Sequence, residues 1–270
     1  MTTPTALTIA GSDSGGGAGI QADLKSFEAN GVFGMSIVTA ITAQNTVAVT
    51  AVHEIPIEVV IAQLDAVASD LPVGAVKTGM LGSSELIEAV AAALGRYSLK
   101  PLVVDPVMIS KSGFKFLPPE AVDALTRHLL PLADLVTPNA HEAEALAGFP
   151  VRTLADARRA AATILDLGPV AVLVKGGHLD DEEDAVDVLL DAEGFSEYRA
   201  PRVDTPHTHG TGCTYAAAIA ANLARGMSLR TAVAEAKEYL TGAIRHAHAI
   251  GSGHGPTGHF WRLREMTARK

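Results

Sequence analysis

The chain has 270 residues, 48% of them hydrophobic and 19% charged, with 25 glycines and 14 prolines; this excludes disordered, collagen-like and heptad-repeat classes and leaves enough apolar mass for a full core. Its formal net charge of −9 has the wrong sign for a protein that grips nucleic-acid backbones. The single cysteine, Cys213, can form neither an internal disulfide nor a thiolate-only metal site and fits the reducing cytoplasm, and neither an export signal at the N-terminus nor an apolar run of about 18 residues points to a membrane.

Along the chain, short apolar β-rich runs alternate with longer Ala/Leu/Glu-rich stretches of helical period, the pattern of parallel βαβ units. Strands are expected near 6–11, 35–42, 74–78, 101–106, 134–137 and 170–175, with helices at 18–30, 57–69, 84–95, 119–128, 140–147 and 154–167. Thr153 followed by Asp156 opens its helix as a capping box, and Pro118-Pro119-Glu120 suits a helical first turn. Beyond residue 176 two alternating runs, 185–191 and 195–203, read as an antiparallel hairpin on the sheet edge, and Ala-rich helices follow at 212–225 and 228–248. With no repeat, linker or composition break, the expectation is one α/β domain over residues 1–270, doubly wound around a mostly parallel sheet, with ligands beyond the carboxyl ends of the strands. The negative charge is local: residues 176–198 hold nine acids and no Lys or Arg, so the hairpin is expected to be a solvated acidic edge that discourages strand pairing.

Two glycine-rich loops stand out. The first strand runs into Gly11-Ser12-Asp13-Ser14-Gly15-Gly16-Gly17-Ala18-Gly19, where the backbone is open to close approach. It is not a P-loop, because no Gly-Lys-Ser/Thr follows, and Gln44 and Asn45 stand where a dinucleotide fold would want an acid; taken alone, a tight turn and a ligand cradle are equally open readings. The second loop, His209-Gly210-Thr211-Gly212-Cys213-Thr214, enters a helix whose free N–H groups form an anion site suited to phosphate. The same N–H groups are expected to lower the pKa of Cys213. Lys175 closes an otherwise apolar strand at the expected ligand edge. Ser110-Lys111-Ser112-Gly113-Phe114-Lys115-Phe116 reads as a polar flap. The four C-terminal histidines, 246, 248, 254 and 259, lack the carboxylate or thiolate companions of a metal site.

Taken together, Ala10 to Asp13, Gly19 to Lys25, Thr42 to Thr46, Lys77 to Leu81, Val104 to Met108, Thr137-Pro138-Asn139 with Glu142, Lys175 to His178 and Thr208 to Thr214 resemble the hydroxymethylpyrimidine/phosphomethylpyrimidine kinases of thiamine biosynthesis, in order and over nearly the whole chain. The resemblance implies a ribokinase-like α/β fold and two transfers of the ATP γ-phosphoryl group, first to the hydroxymethyl of 4-amino-5-hydroxymethyl-2-methylpyrimidine and then to its monophosphate. Under it, Gln44 pairs with the aminopyrimidine edge as Gln reads adenine. Met80 and Val107 sandwich the ring beside Gly11, and Asp23 accepts a hydrogen bond from substrate. The Gly210, Thr211, Gly212 and Cys213 amides cradle the transferring group, with Cys213 as candidate base. Asn139 and Lys175 touch the ATP phosphates, and Asp105 and Glu142 hold Mg²⁺, partly through water. The chain departs from the family pattern at Phe114, where relatives carry Asp, at His141, where Pro is usual, and at Ser14-Gly15, where Pro-Ser is common. The partners implied are small molecules and a second copy in a homodimer. The rival readings are a pyridoxal kinase of the same fold, a cysteine hydrolase using Cys213 with His209 or His178, and a catalytically silent binding module.

Overall fold

The alternation of apolar and helical segments closes into strands β1 (Thr5–Asp13), β2 (Phe33–Gln44), β3 (Val49–Glu54), β4 (Val76–Thr78), β5 (Leu102–Val104), β6 (Leu135–Val136), β7 (Val172–Val174), β8 (Ala185–Asp191) and β9 (Gly194–Ala200). The computed structural model describes residues 3–108, 117–177 and 179–268. The nine strands form one sheet in the order β3-β2-β1-β4-β5-β6-β7-β8-β9. β2, β1, β4, β5, β6 and β7 run parallel, whereas β3, β8 and β9 pair antiparallel at the two edges.

Helices cover both faces, which is why β4 to β7 are buried along their length and read as unbroken apolar runs. On one side lie α2 (Ile57–Ala68), α3 (Ser84–Tyr97), α4 (Pro119–Ala124), α5 (Ala140–Ala147) and α6 (Leu154–Leu165), packed on Leu7, Ile9, Val76, Val104, Val136 and Val174. On the other lie α1 (Gly19–Ala29), α7 (Thr211–Ala224), α8 (Leu229–Arg245) and α9 (Trp261–Ala268), packed on Ala6, Ala75, Val103, Leu135 and Leu173. The one-residue offset between the two sets is the strand period at work. Ser83, Asn139, Thr153 and Ser228 cap their helices through side-chain oxygens, Asn139 and Thr153 as complete capping boxes. No helix among the described residues is long and apolar enough to cross a membrane.

Four expectations are corrected. β3 and α9 are additional elements. The helix expected over 119–128 ends at Ala124 and continues as a π turn over Leu125–Leu129 and a 3-10 turn over Leu130–Leu132; Pro131, lacking an N–H, cannot carry an α-helix through this stretch. β9 stops at Ala200 because Pro201 cannot donate to the ladder. The acidic hairpin is partly ion-paired rather than wholly solvated: Asp180, Asp181, Glu183 and Asp184 make no ion pair among the described residues. Asp187 is buried and accepts from Lys237 Nζ at 2.6 Å and from the Gly176 N–H at 3.0 Å. Asp191 pairs with Arg230, Glu182 with Arg199, and Glu197 with both Arg158 and Arg199. The cations are Arg199 at the end of β9, next to the window, and Arg158, Arg230 and Lys237 on α6 and α8, so part of the pairing comes from elements distant in sequence.

Candidate active site

Because the central strands are parallel, their carboxyl ends share one edge, and the order reverses between β1 and β4, the switch point at which open α/β sheets bind ligands. Asp13, Gln44, Lys77, Asp105, Asn139 and Lys175 all sit on or just beyond strand ends here, and the first turn of α7 faces them.

The first glycine loop is wrapped around the side chain that begins it. Asp13 accepts from the N–H groups of Gly15 at 2.8 Å, Gly17 at 3.0 Å and Ala18 at 2.8 Å, and from His209 Nε2 at 2.8 Å. Burial pushes its carboxyl up, but the His209 and backbone hydrogen bonds outweigh this and hold it below the usual carboxylate value. The second loop seats on the first through missing side chains. A Cβ on Gly17 would stand 2.5 Å from His209 Cδ2, and one on Gly210 would stand 1.8 Å from the Gly17 carbonyl oxygen, while Gly210 also has φ of +79°. Gly210→Ala is therefore expected to lower the unfolding free energy by about 2 kcal/mol, combining left-handed strain with the clash. An unchanged urea midpoint would show that the loops do not depend on this contact.

Gly210 is the N-cap of α7 and supplies no side-chain cap, so the first-turn N–H groups of Gly212 and Cys213 are free of intrahelical acceptors. The expected depression of the Cys213 pKa is corrected. Burial pushes the thiol up to about 11; Lys77 and the Gly19 N–H pull it down, Asp23 and Asp105 push it further up, and the helix end does not prevail. Among the described residues no hydrogen bond joins Cys213 to a histidine, and the nearby His209 is committed to Asp13.

Beneath the loop lies an ion pair that the sequence reading did not single out. Asp23 on α1 and Lys77 on β4 are both fully buried, with Lys77 Nζ 2.9 Å from Asp23 Oδ2, which also accepts from Thr8 Oγ1 at 2.6 Å; Asp23 Oδ1 has no partner among the described residues. Asp23, expected to accept from substrate, has no exposed surface and meets Lys77. A lysine inside the run Gly74-Ala75-Val76-Lys77-Thr78 was the available signal, since a charge in a doubly covered strand needs a counter-charge.

Lys175 Nζ lies 2.8 Å from Asp105 Oδ1 and 3.9 Å from Glu142 Oε2. A Cβ on Gly212 would be 3.3 Å from Lys175 Nζ and 3.8 Å from Asp105 Oδ2, so the bare backbone of the anion loop directly faces this acid–base group. Glu142 also closes the α5 capping box: its Oε2 accepts from the Asn139 N–H at 2.7 Å and its own N–H donates to Asn139 Oδ1 at 3.0 Å. Burial pushes the Glu142 carboxyl up to about 7, against the pull of Lys175. Asn139 spends its side-chain oxygen on the cap, and among the described residues its NH₂ makes no hydrogen bond. Among the described residues no three His, Cys, Asp or Glu converge as a metal cage. A donor set of two carboxylates, with Asp105 Oδ2 turned toward the anion loop, nevertheless fits magnesium, which takes one or two carboxylates and fills the rest of its shell with water and phosphate oxygens.

Gln44 ends β2 half-buried; its carboxamide lies near Thr42 and His209, and its backbone exchanges hydrogen bonds with Ser14 Oγ at 2.8 Å in both directions. Met80 is buried against Gly11, where an added Cβ would meet Met80 Cε at 2.7 Å, and Val107 is half-buried beyond Asp105. The C-terminal histidines are dispersed: His259 Nε2 meets Thr214 and Thr257, His246 stacks on Trp261, and His254 Nδ1 meets the Pro206 carbonyl. The 110–116 flap with Phe114, and His178, lie outside the described residues.

The model of the phosphomethylpyrimidine kinase family matches residues 13–258. A hydroxymethylpyrimidine/phosphomethylpyrimidine kinase of Synechococcus elongatus is 51% identical over 263 residues, covering 97% of this chain and 100% of the relative. Among solved structures, a Bacillus subtilis pyridoxal kinase in complex with ADP superposes with a TM-score of 0.91 at 42% identity, over 97% of this chain and 99% of that one. A phosphomethylpyrimidine kinase of Clostridium difficile superposes with a TM-score of 0.79 at 48% identity, over 89% and 99%.

Proposed function

The chain belongs to the phosphomethylpyrimidine kinase family, and from that membership we propose that it transfers the γ-phosphoryl group of ATP to the hydroxymethyl of 4-amino-5-hydroxymethyl-2-methylpyrimidine and then to the resulting monophosphate. The observation that carries the reading is the face-to-face placement of the bare Gly212 backbone and the Lys175–Asp105 pair at the strand ends, with Gln44 across the same edge. Phosphoryl transfer needs positioning and charge neutralisation more than covalent chemistry, and both are available there.

Gln44 reads the amino group and ring nitrogen of the pyrimidine, while Met80, Val107 and the bare Gly11 backbone hold its faces. The amides of Gly210 to Cys213 receive the negative charge of the transferring group. Lys175 and the free NH₂ of Asn139 hold the nucleotide phosphates. Asp105 and Glu142 would hold magnesium, which neutralises phosphate charge when bound. Cys213 takes the proton of the attacking hydroxyl, and Asp23 acts on the site through Lys77. The whole chain works as one kinase unit in the cytoplasm. A twofold homodimer, the commonest soluble assembly, would cover the β2–β3 edge, where Ile41 and Val47 are 51% and 55% exposed.

The superposition on a pyridoxal kinase keeps pyridoxal as the second substrate to assay. A coupled ADP-release assay with the pyrimidine alcohol, its monophosphate and pyridoxal side by side is expected to give turnover on both pyrimidines exceeding that on pyridoxal. No turnover on either pyrimidine overturns the reading.

A further inference from the structure

Lys175 is held at both ends. Its ammonium faces Asp105 and Glu142, whereas its Cα lies where two peptide planes meet, and each plane is fixed by a hydrogen bond. The Lys175 N–H donates to the Pro138 carbonyl at 2.8 Å, and the N–H of the next peptide, that of Gly176, donates to Asp187 Oδ1 at 3.0 Å. The β7–β8 ladder ends at the Val174–Val188 pair, so just beyond it a side-chain carboxylate stands in for the ladder acceptor. The turn has little direction of its own, because two glycines follow the lysine. Gly176 is buried where an added Cβ would stand 1.9 Å from the Val186 carbonyl oxygen, and Gly177 has open space at its Cβ position. Asp187 is buried too, and its charge is answered from α8, with Lys237 Nζ 2.6 Å from Oδ2. Each carboxylate oxygen thus has its own donor. The kinase chemistry proposed above uses neither Asp187 nor Lys237.

We propose that Asp187 and Lys237 are positioning residues for the nucleotide: Asp187 fixes the peptide that follows Lys175, so that the Lys175 ammonium is aimed at the ATP phosphates, and Lys237 holds Asp187 in that task. This rests on the phosphate-binding role proposed above for Lys175. A long side chain gives up rotamer freedom when it binds, and a backbone already fixed on both sides leaves less to lose. A carboxylate is the stronger acceptor for a backbone N–H, and a buried N–H left without one seeks another partner. With the carboxyl side of Lys175 released in that way, the chain turns more freely about the N–Cα bond of the lysine. That turn swings the Cα–Cβ bond, and the length of the lysine stem magnifies the displacement at Nζ. An ion pair on the far side of the β7–β8 turn from Asp105 thereby bears on the same ammonium that Asp105 holds directly.

The test compares two double variants that both remove the charges. Asp187→Asn with Lys237→Met keeps a side-chain oxygen for the Gly176 N–H, and Asp187→Leu with Lys237→Met does not. Neither strands a buried charge, so both are expected to fold, as read from the urea midpoint; Asp187→Ala with Lys237→Met replaces the leucine pair if that pair does not fold. The probe is AMP-PCP, an ATP analogue that cannot transfer its terminal phosphoryl group, titrated calorimetrically in the presence of magnesium. The asparagine pair should keep the unmodified dissociation constant within about threefold and the leucine pair should bind about tenfold more weakly, while all three chains bind the pyrimidine alcohol equally. Lys175→Met alone should weaken AMP-PCP by about tenfold or more, and adding the leucine pair to it should cost less than about twofold further, because the pair acts through Lys175. Equal AMP-PCP affinity in the two pairs, a leucine-pair loss that persists in full beside Lys175→Met, or equal weakening of the pyrimidine alcohol overturns the inference and leaves the kinase assignment standing. Unchanged AMP-PCP affinity in Lys175→Met overturns the phosphate role of Lys175 and the inference with it.

Discussion

Replacing Cys213 by alanine is expected to lower kcat by about two to four orders of magnitude while the KM values for the pyrimidine alcohol and ATP stay within about threefold. Serine should be nearly as damaging, because its hydroxyl gives up a proton far less readily than a thiol. The side chain sits in the first turn of α7, next to the amides proposed to receive the transferring charge, so on that reading its loss removes a proton acceptor without removing the cradle. The raised pKa gives the sign of the pH dependence. With the thiol pushed up to about 11 by burial, the thiolate is the minor form at neutral pH and grows about tenfold per pH unit. Turnover of the unmodified enzyme should therefore climb between about pH 6 and 9, and the residual turnover of Cys213→Ser should lose that slope. Equal kcat in the serine variant, or a flat profile in the unmodified enzyme, removes the base role from Cys213. Bound nucleotide adds negative charge, so the positive field of Lys77 and Lys175 has to offset it.

Most of the fold is legible in the sequence because doubly covered parallel strands and amphipathic helices carry strong periodic signals. The elements missed are those without such a signal. Val49–Glu54 has no buried face, being half-buried or exposed throughout, and it becomes a strand only because the long β2 offers it a free edge. Trp261–Ala268 is short and charged, and is held by Trp261, whose Nε1 donates to the Tyr239 carbonyl at 3.1 Å. The candidate site divides in the same way. Gly210 to Cys213, Lys175 and Gln44 were readable from local context and family resemblance. The pairings that organise them join residues 196 apart for Asp13 and His209, 70 for Asp105 and Lys175, and 54 for Asp23 and Lys77. Which acid meets which base is decided by the order of strands in the sheet. Local context therefore carries no trace of the Asp23–Lys77 pair, nor of Lys237 and Arg230 reaching the acids of the edge hairpin from α8.

Lys77→Met is expected to destabilise the fold by about 3–5 kcal/mol at neutral pH, the range for breaking a buried pair and stranding one charge. Among the described residues Asp23 would remain fully buried with Thr8 Oγ1 as its one hydrogen-bond donor, and its Oδ1 is already without a partner there. Replacing both residues, as Lys77→Met with Asp23→Leu, should recover most of the loss, since two apolar side chains leave nothing unpaired. The pH dependence separates an ionic role from a packing role. Burial pushes the Asp23 carboxyl above its usual value, and the Lys77 ammonium is the leading influence that opposes this. Without the ammonium the folded chain holds the Asp23 proton to higher pH than the unfolded chain does. Such a group contributes its full stability below the ordinary carboxylate range and loses it as pH rises through the folded value. The deficit of Lys77→Met, measured as the shift in urea midpoint from the unmodified chain, should therefore shrink as pH falls from about 8 to 5. A deficit independent of pH would mean that the lysine stem fills space and its charge is incidental. The same substitution removes the cation that pulls the Cys213 thiol down, so the surviving enzyme should have its pH–rate profile displaced to higher pH. A merely destabilised enzyme would keep the profile where it was. The buried pair under the anion loop is thus tied both to holding the fold and to setting the charge of the one thiol above it.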